Sequence, residues 1–137
     1  MNIEIELSLR MLLAAALGAA IGYQRTWAKK PAGFRTHAVV ALGVATFTVI
    51  STHGFVGGSI DPSRVAAGVV TGIGFIGGGT ILRMRTHGGD TVVGITTAAT
   101  IWTVAAIGMA AAVGEYIIAT TATVLCLVIL FMHPREN

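Results

Sequence analysis

Charge is what this sequence has least of. Of its 137 residues only 11% are Asp, Glu, Lys or Arg, against 54% hydrophobic, and the mean hydropathy is +0.80. A water-soluble domain carries about a quarter charged residues. The shortage excludes a fold wrapped in solvated charge and makes lipid the natural solvent. The charge is also missing in blocks. None falls between Arg35 and Asp61, and only Asp90 and Glu115 interrupt the stretch from Arg85 to Arg135. Uncharged runs of roughly 18 or more residues are what a bilayer demands. Cysteine is nearly absent too. Cys126 stands alone in Leu125-Cys126-Leu127-Val128, which excludes an intrachain disulfide and reads as a small buried hydrophobe. With three prolines and no Pro/Ser-rich stretch there is no linker, and residues 1–137 read as one transmembrane domain. No nucleophile-base-orienter pattern stands out, so an enzyme is not expected, nor is a cofactor.

What is present are apolar helices. Leu12 to Ile21 looks like the core of a signal peptide, but Glu4 and Glu6 precede it and the basic cluster follows it. It reads as a first membrane helix that stays. Spans are expected near 7–23, 36–52, 62–83, 92–113 and 115–132, giving an all-α polytopic bundle of five transmembrane helices. Asp61, Pro62 and Ser63 form a start signal for the third. Gly88-Gly89 supply the turn before the fourth, with Asp90 or Thr91 as its cap. Lys and Arg fix the orientation. Arg25, Lys29, Lys30, Arg35, Arg83, Arg85 and Arg135 fall on one side, and only Arg10 and Arg64 on the other. The positive-inside rule places the larger group in the cytoplasm, the N-terminus outside and the C-terminus inside. The net charge of +3 thus reads as topology, and nucleic-acid binding is not expected. Arg10 to Gly22 is echoed by Arg64 to Ile76, with Gly18 matching Gly72, as a faint internal repeat.

Gly72, Gly74 and Gly77 spell G-x-G-x-x-G. A dinucleotide loop needs a strand before it and an acidic residue about 20 positions after it. Here a helix start precedes and Thr80-Ile81-Leu82-Arg83 follows, so the match is accidental. On a helix, Gly68, Gly72 and Gly79 share one face. Ala66, Ala67, Gly74, Gly77 and Gly78 share the other, and Val69, Ile73 and Ile76 form the lipid strip. This span is expected at the bundle centre, its glycines serving close helix packing. The sharper reading is that Gly77-Gly78-Gly79 breaks the helix and exposes carbonyls. In the fourth span Thr96, Thr100 and Thr103 share a face flanked by Thr97. They form either ordinary backbone-bonded threonines or a polar seam facing the glycines.

Four ordered segments then stand out: Pro31-Ala32-Gly33-Phe34-Arg35-Thr36-His37, Asp61-Pro62-Ser63-Arg64, Gly72 to Gly79, and Gly94-Ile95-Thr96-Thr97-Ala98-Ala99-Thr100-Ile101-Trp102. Together they resemble the MgtC/SapB family of bacterial inner-membrane proteins over nearly the whole chain. The resemblance implies a multi-pass protein of the bacterial cytoplasmic membrane, tied to magnesium limitation and, in pathogens, to virulence. It implies a non-enzymatic regulator acting by helix-helix contact with a membrane partner such as ATP synthase, with a transporter of Mg²⁺ or another cation as the alternative. Two departures are visible. Gln24, before Arg25, stands where many members carry an acid. The soluble domain that longer members carry after the last span is not expected, since only His133 to Asn137 follow.

None of Glu4, Glu6, Asp61, Asp90, Glu115 and Glu136 lies mid-span on this map. Mg²⁺ wants carboxylate or water oxygen, so no dehydrated metal site is expected within one protomer. A hydrated ion could still pass a ring of threonines in a homo-oligomer. Glu6 is placed to pair with Arg10 one turn on, where the alternative is snorkelling of Arg10 to the interface. Asp61 and Arg64 pin the third helix. Arg35, Thr36 and His37 either anchor the second span at the interface or grip a partner. His37, His53 and His87 fall in separate interfacial regions, against a zinc site. With Gln24, Arg25 and Trp102, these are the interfacial candidates for function.

Overall fold

A computed structural model describes residues 2–132 except 56 and 59; the calls on Arg135, Glu136 and the His133–Asn137 tail lie outside the described residues. Five helices run α1 (Ile3–Trp27), α2 (Phe34–His53), α3 (Ser63–Gly78), α4 (Ile95–Val113) and α5 (Tyr116–Phe131). A two-stranded hairpin, β1 (Leu82–Thr86) and β2 (Gly89–Val93), joins α3 to α4. The helices α1, α2 and α4 are long and apolar enough to cross a membrane; α3 and α5 are shorter apolar helices.

The start of α3 is built as the sequence suggests, whereas α1 begins ahead of the span expected from residue 7. Asn2 accepts from the Glu4 amide, with Glu4 and Glu6 in the first turn of α1, where carboxylates oppose the helix dipole. Asp61 Oδ1 accepts from both the amide and the hydroxyl of Ser63 at 3.0 and 2.6 Å, capping α3. The start of α4 departs from expectation. Its cap is Gly94 at φ +92°, while Asp90 and Thr91 belong to β2.

The hairpin is the main correction to the sequence map, which carried the third helix through Arg83. Gly78 ends α3, and Thr80 donates back to the Gly77 carbonyl at 2.7 Å. Leu82-Arg83-Met84-Arg85 then alternates apolar and charged residues, the period of a strand. Leu82 pairs with Val93 and Arg85 with Asp90, so Leu82, Met84 and Val93 share one face and Arg83, Arg85 and Asp90 the other. Asp90 is ion-paired to Arg83 and, at 3.9 Å, to Arg85.

The centre of the bundle is α4. Nine of its 19 residues are buried, against two of the 16 in α3. Small residues let its neighbours approach. A Cβ on Gly108 would sit 2.5 Å from the Ala41 carbonyl oxygen of α2. Between α1 and α2, a Cβ on Gly18 would sit 2.6 Å from the His37 carbonyl, and one on Gly22 2.7 Å from the Phe34 Cα. Ala14, Ile21, Ala41, Ala45, Val104, Ile107, Ala111 and Ala112 fill the space between.

The third helix therefore lies at the edge, and its facing is the reverse of the one expected. Ile73 is buried with Val44, Ile101 and Ala105, and Val69 packs against them. Ile76 is about half exposed. Gly68, Gly72, Gly74 and Gly78 have nothing within 4 Å of a built Cβ, and only Gly77 meets a neighbouring helix, at Ala98. Lipid tails are as apolar as Ile, so hydrophobicity alone does not turn such a residue inward or outward. The proposed repeat fails in packing for the same reason, since Gly18 is crowded and Gly72 open.

Successive helices alternate in direction. Arg25 meets Thr97 and Trp27 stacks obliquely on Phe131 at 6.1 Å at one end. At the other, Arg10 pairs with Glu6, donates to the Ala112 carbonyl at 3.2 Å and lies 5.9 Å from the Tyr116 ring centre. Arg10 is thus part of the bundle rather than a snorkelling chain. Arg25, Lys29, Lys30, Arg35, Arg83 and Arg85 all gather at the first end.

Candidate functional site

Near the cationic end the interior turns polar. Gln24 and Arg25 from α1, His37 from α2, and Thr97 and Thr100 from α4 are each no more than 5% exposed. The close approach at Gly18 and Gly22 brings the first turn of α2 against α1, and this carries His37 inward. Thr97 and Thr100, almost one turn apart, face it from the start of α4.

Arg25 Nη2 donates to Thr97 Oγ1 at 3.1 Å. His37 Nδ1 lies 2.9 Å from the Gly33 carbonyl oxygen and Nε2 lies 3.0 Å from Thr100 Oγ1. A carbonyl only accepts, so the proton sits on Nδ1 and the neutral ring accepts at Nε2. The Thr100 hydroxyl then has one proton for two acceptors, Nε2 and the Thr97 carbonyl at 2.8 Å. Arg25 Nε and Gln24 Oε1 are buried without a partner. The layer ties three helices together and leaves donors and acceptors unspent.

A groove of about 370 Å³ between α4 and α5 opens beside it, lined by Thr96, Ala99, Thr100, Thr103, Cys126 and Leu130 among others. A smaller groove of about 210 Å³ lies at the opposite end, lined by Thr48, Thr52, Pro62, Ser63 and Met109 among others.

The chain matches the model of the MgtC family over residues 11–136. It belongs to the MgtC family. It is 44% identical over 133 residues to the protein named "Putative magnesium transporter YhiD" of Escherichia coli strain K12, covering 91% of this chain and 59% of that one. It is 42% identical over 131 residues to "Protein MgtC" of Salmonella typhimurium strain LT2, covering 94% of this chain and 54% of that one. The chain thus spans little more than half the length of these relatives. No solved structure matches it.

The family residues singled out in the sequence scatter. Gln24, Arg25 and His37 meet in the polar layer, whereas Arg35, Thr36, Asp61, Arg64 and Trp102 are exposed. His37 is therefore an interior residue and not an interfacial one. The four threonines do not form one seam toward α3. Thr97 and Thr100 turn to α1 and α2, and Thr96 and Thr103 line the groove beside α5. The face of α4 that meets α3 is Ala98, Ile101 and Ala105. The sequence reading missed Gly18, Gly22 and Gly108, although Ala14, Gly18 and Gly22 recur at four-residue spacing. It also missed the place of Cys126 in the groove between α4 and α5. Among the described residues no three His, Cys, Asp or Glu side chains gather as a metal-ligand set.

Proposed function

We propose that this chain is a non-enzymatic regulator in the bacterial inner membrane, serving adaptation to magnesium limitation through contact between its helices and those of a membrane partner. The observation that carries this is the outer face of α3. Gly68 and Gly72, and Gly74 and Gly78, are two small-xxx-small pairs with open space above them. Such pairs let membrane helices approach closely. Family membership supports the magnesium link, and the membrane sector of an ATP synthase is a partner of the right kind. Gly68→Leu with Gly72→Leu should leave the melting temperature of the purified protomer unchanged. It should abolish co-purification of the partner from native membranes and growth at low magnesium. Retained association and growth would overturn the reading.

The second reading is transport of Mg²⁺ or another cation. It draws on the name of the Escherichia coli relative and on the hydroxyls of Thr96 and Thr103 along an open groove. Uptake of Mg²⁺ into liposomes containing this chain alone would establish it and displace the first.

A further inference from the structure

Among the described residues Arg25 is a buried cation with no anion in reach. It is 3% exposed, and its one hydrogen-bond partner among them is the neutral hydroxyl of Thr97. A guanidinium does not give up its proton, and burying an unpaired charge is expensive. The described acids are engaged or distant. Glu6 holds Arg10 and Asp90 holds Arg83. Glu4, Asp61 and Glu115 lie at the other end of the bundle. His37 on α2 lies in the same buried layer, and the adjacent position on α1 is an amide, Gln24. Among the described residues nothing in the layer carries a negative charge to meet it.

We infer that Arg25 anchors a binding site for a phosphate group, reached from the cationic end and from the groove between α4 and α5. The side-on edge of the guanidinium, Nε with Nη2, has one neutral partner where an oxyanion would be held by two donors. The Thr97 hydroxyl accepts from Arg25, so its own proton is free to donate. Arg25 sits two residues before the end of α1, close in sequence to Lys29 and Lys30, at the end of a helix long and apolar enough to cross a membrane. The groove beside Cys126 is walled by Leu125, Ile129 and Leu130, which suits an acyl chain. The phosphate belongs either to an anionic lipid headgroup or to a free ion. The site is independent of the α3 face.

The test is thermal unfolding of the full chain in nanodiscs of phosphatidylglycerol or of phosphatidylcholine, with a third arm of phosphatidylcholine plus inorganic phosphate against chloride. Phosphatidylglycerol should raise the melting temperature by about 5 °C or more. Arg25→Gln should lose that gain, and Arg83→Gln with Arg85→Gln should keep it. Gln24→Glu supplies a carboxylate within the layer, so it should melt alike in both lipids. A gain from inorganic phosphate that matches the lipid gain assigns the site to the free ion; a gain from lipid alone assigns it to the headgroup. Equal melting of the parent in all arms would overturn the proposal in favour of a partner protein's carboxylate. So would a gain that survives in Arg25→Gln. If Arg25→Gln does not fold, the parent against Gln24→Glu decides, and an undiminished gain in Gln24→Glu refutes the site.

Discussion

A glycine in a membrane helix states only that something could come close; whether it does depends on which way the residue points. Gly18, Gly22 and Gly108 are pressed against backbone of neighbouring helices, while Gly72 and Gly74 face open space. Gly108→Ala should therefore destabilise the protomer by on the order of 1–3 kcal/mol through overpacking, and Gly72→Ala should leave it unchanged, as judged by thermal unfolding in detergent. Ile73 tests the facing directly. It is 6% exposed, so Ile73→Ala should lose about 2 kcal/mol, whereas the same change at the half-exposed Ile76 should be nearly silent. If Ile76→Ala melted earlier than Ile73→Ala, the facing of α3 would be wrong. The identity of the polar-layer residues was legible, because Gln24, Arg25, His37, Thr97 and Thr100 all stood in marked motifs. Their convergence was not, because it depends on the crossing of α1, α2 and α4, which no local pattern encodes.

The start of α3 was the most readable boundary, since its cap is local chemistry. At α3, the Ser63 amide and hydroxyl hold the Asp61 carboxyl below the usual carboxylate range. A value depressed in the folded state gives a contribution present above the unfolded carboxylate range and lost as pH falls through the folded value. The protection of the Arg64 and Val65 amides, taken relative to the intrinsic exchange rate at each pH, should therefore fall on acidification, and Asp61→Asn should remove that pH dependence. The hairpin was the element most readily misread. Its alternating Leu82-Arg83-Met84-Arg85 is a strand signal, but it follows the sixteen mostly apolar residues of α3 without an intervening proline. Gly94 makes the return to helix possible. It has φ +92°, and a Cβ there would fall 1.9 Å from the Thr80 carbonyl oxygen. Gly94→Ala should cost about 2 kcal/mol or more, seen as a lower melting temperature, while Gly88→Ala in the open turn should not.

At the scale of the molecule, composition settled the class, because a chain so poor in charge has few places to be stable except lipid. The gathering of six basic residues at one end follows from the alternation of helices, and the positive-inside rule predicts that this end faces the cytoplasm. In a Cys126→Ser background, Lys30→Cys should resist a membrane-impermeant thiol reagent in intact cells and His53→Cys should react. The opposite pattern would invert the protein. The order of helices about the centre was not legible, since in lipid the packing order follows shape rather than hydrophobicity.

The length of α3 has an elastic consequence. Sixteen residues rise about 24 Å, several ångströms less than a hydrocarbon core of about 30 Å. Along that flank the leaflets must dip to meet the helix ends, and the stretched and compressed acyl chains carry a cost that grows with the perimeter of the dimple. Two such dimples lower that cost by merging. A second protein whose own span is short would then be drawn to this flank before any side chain touched, and thicker bilayers should strengthen the attraction.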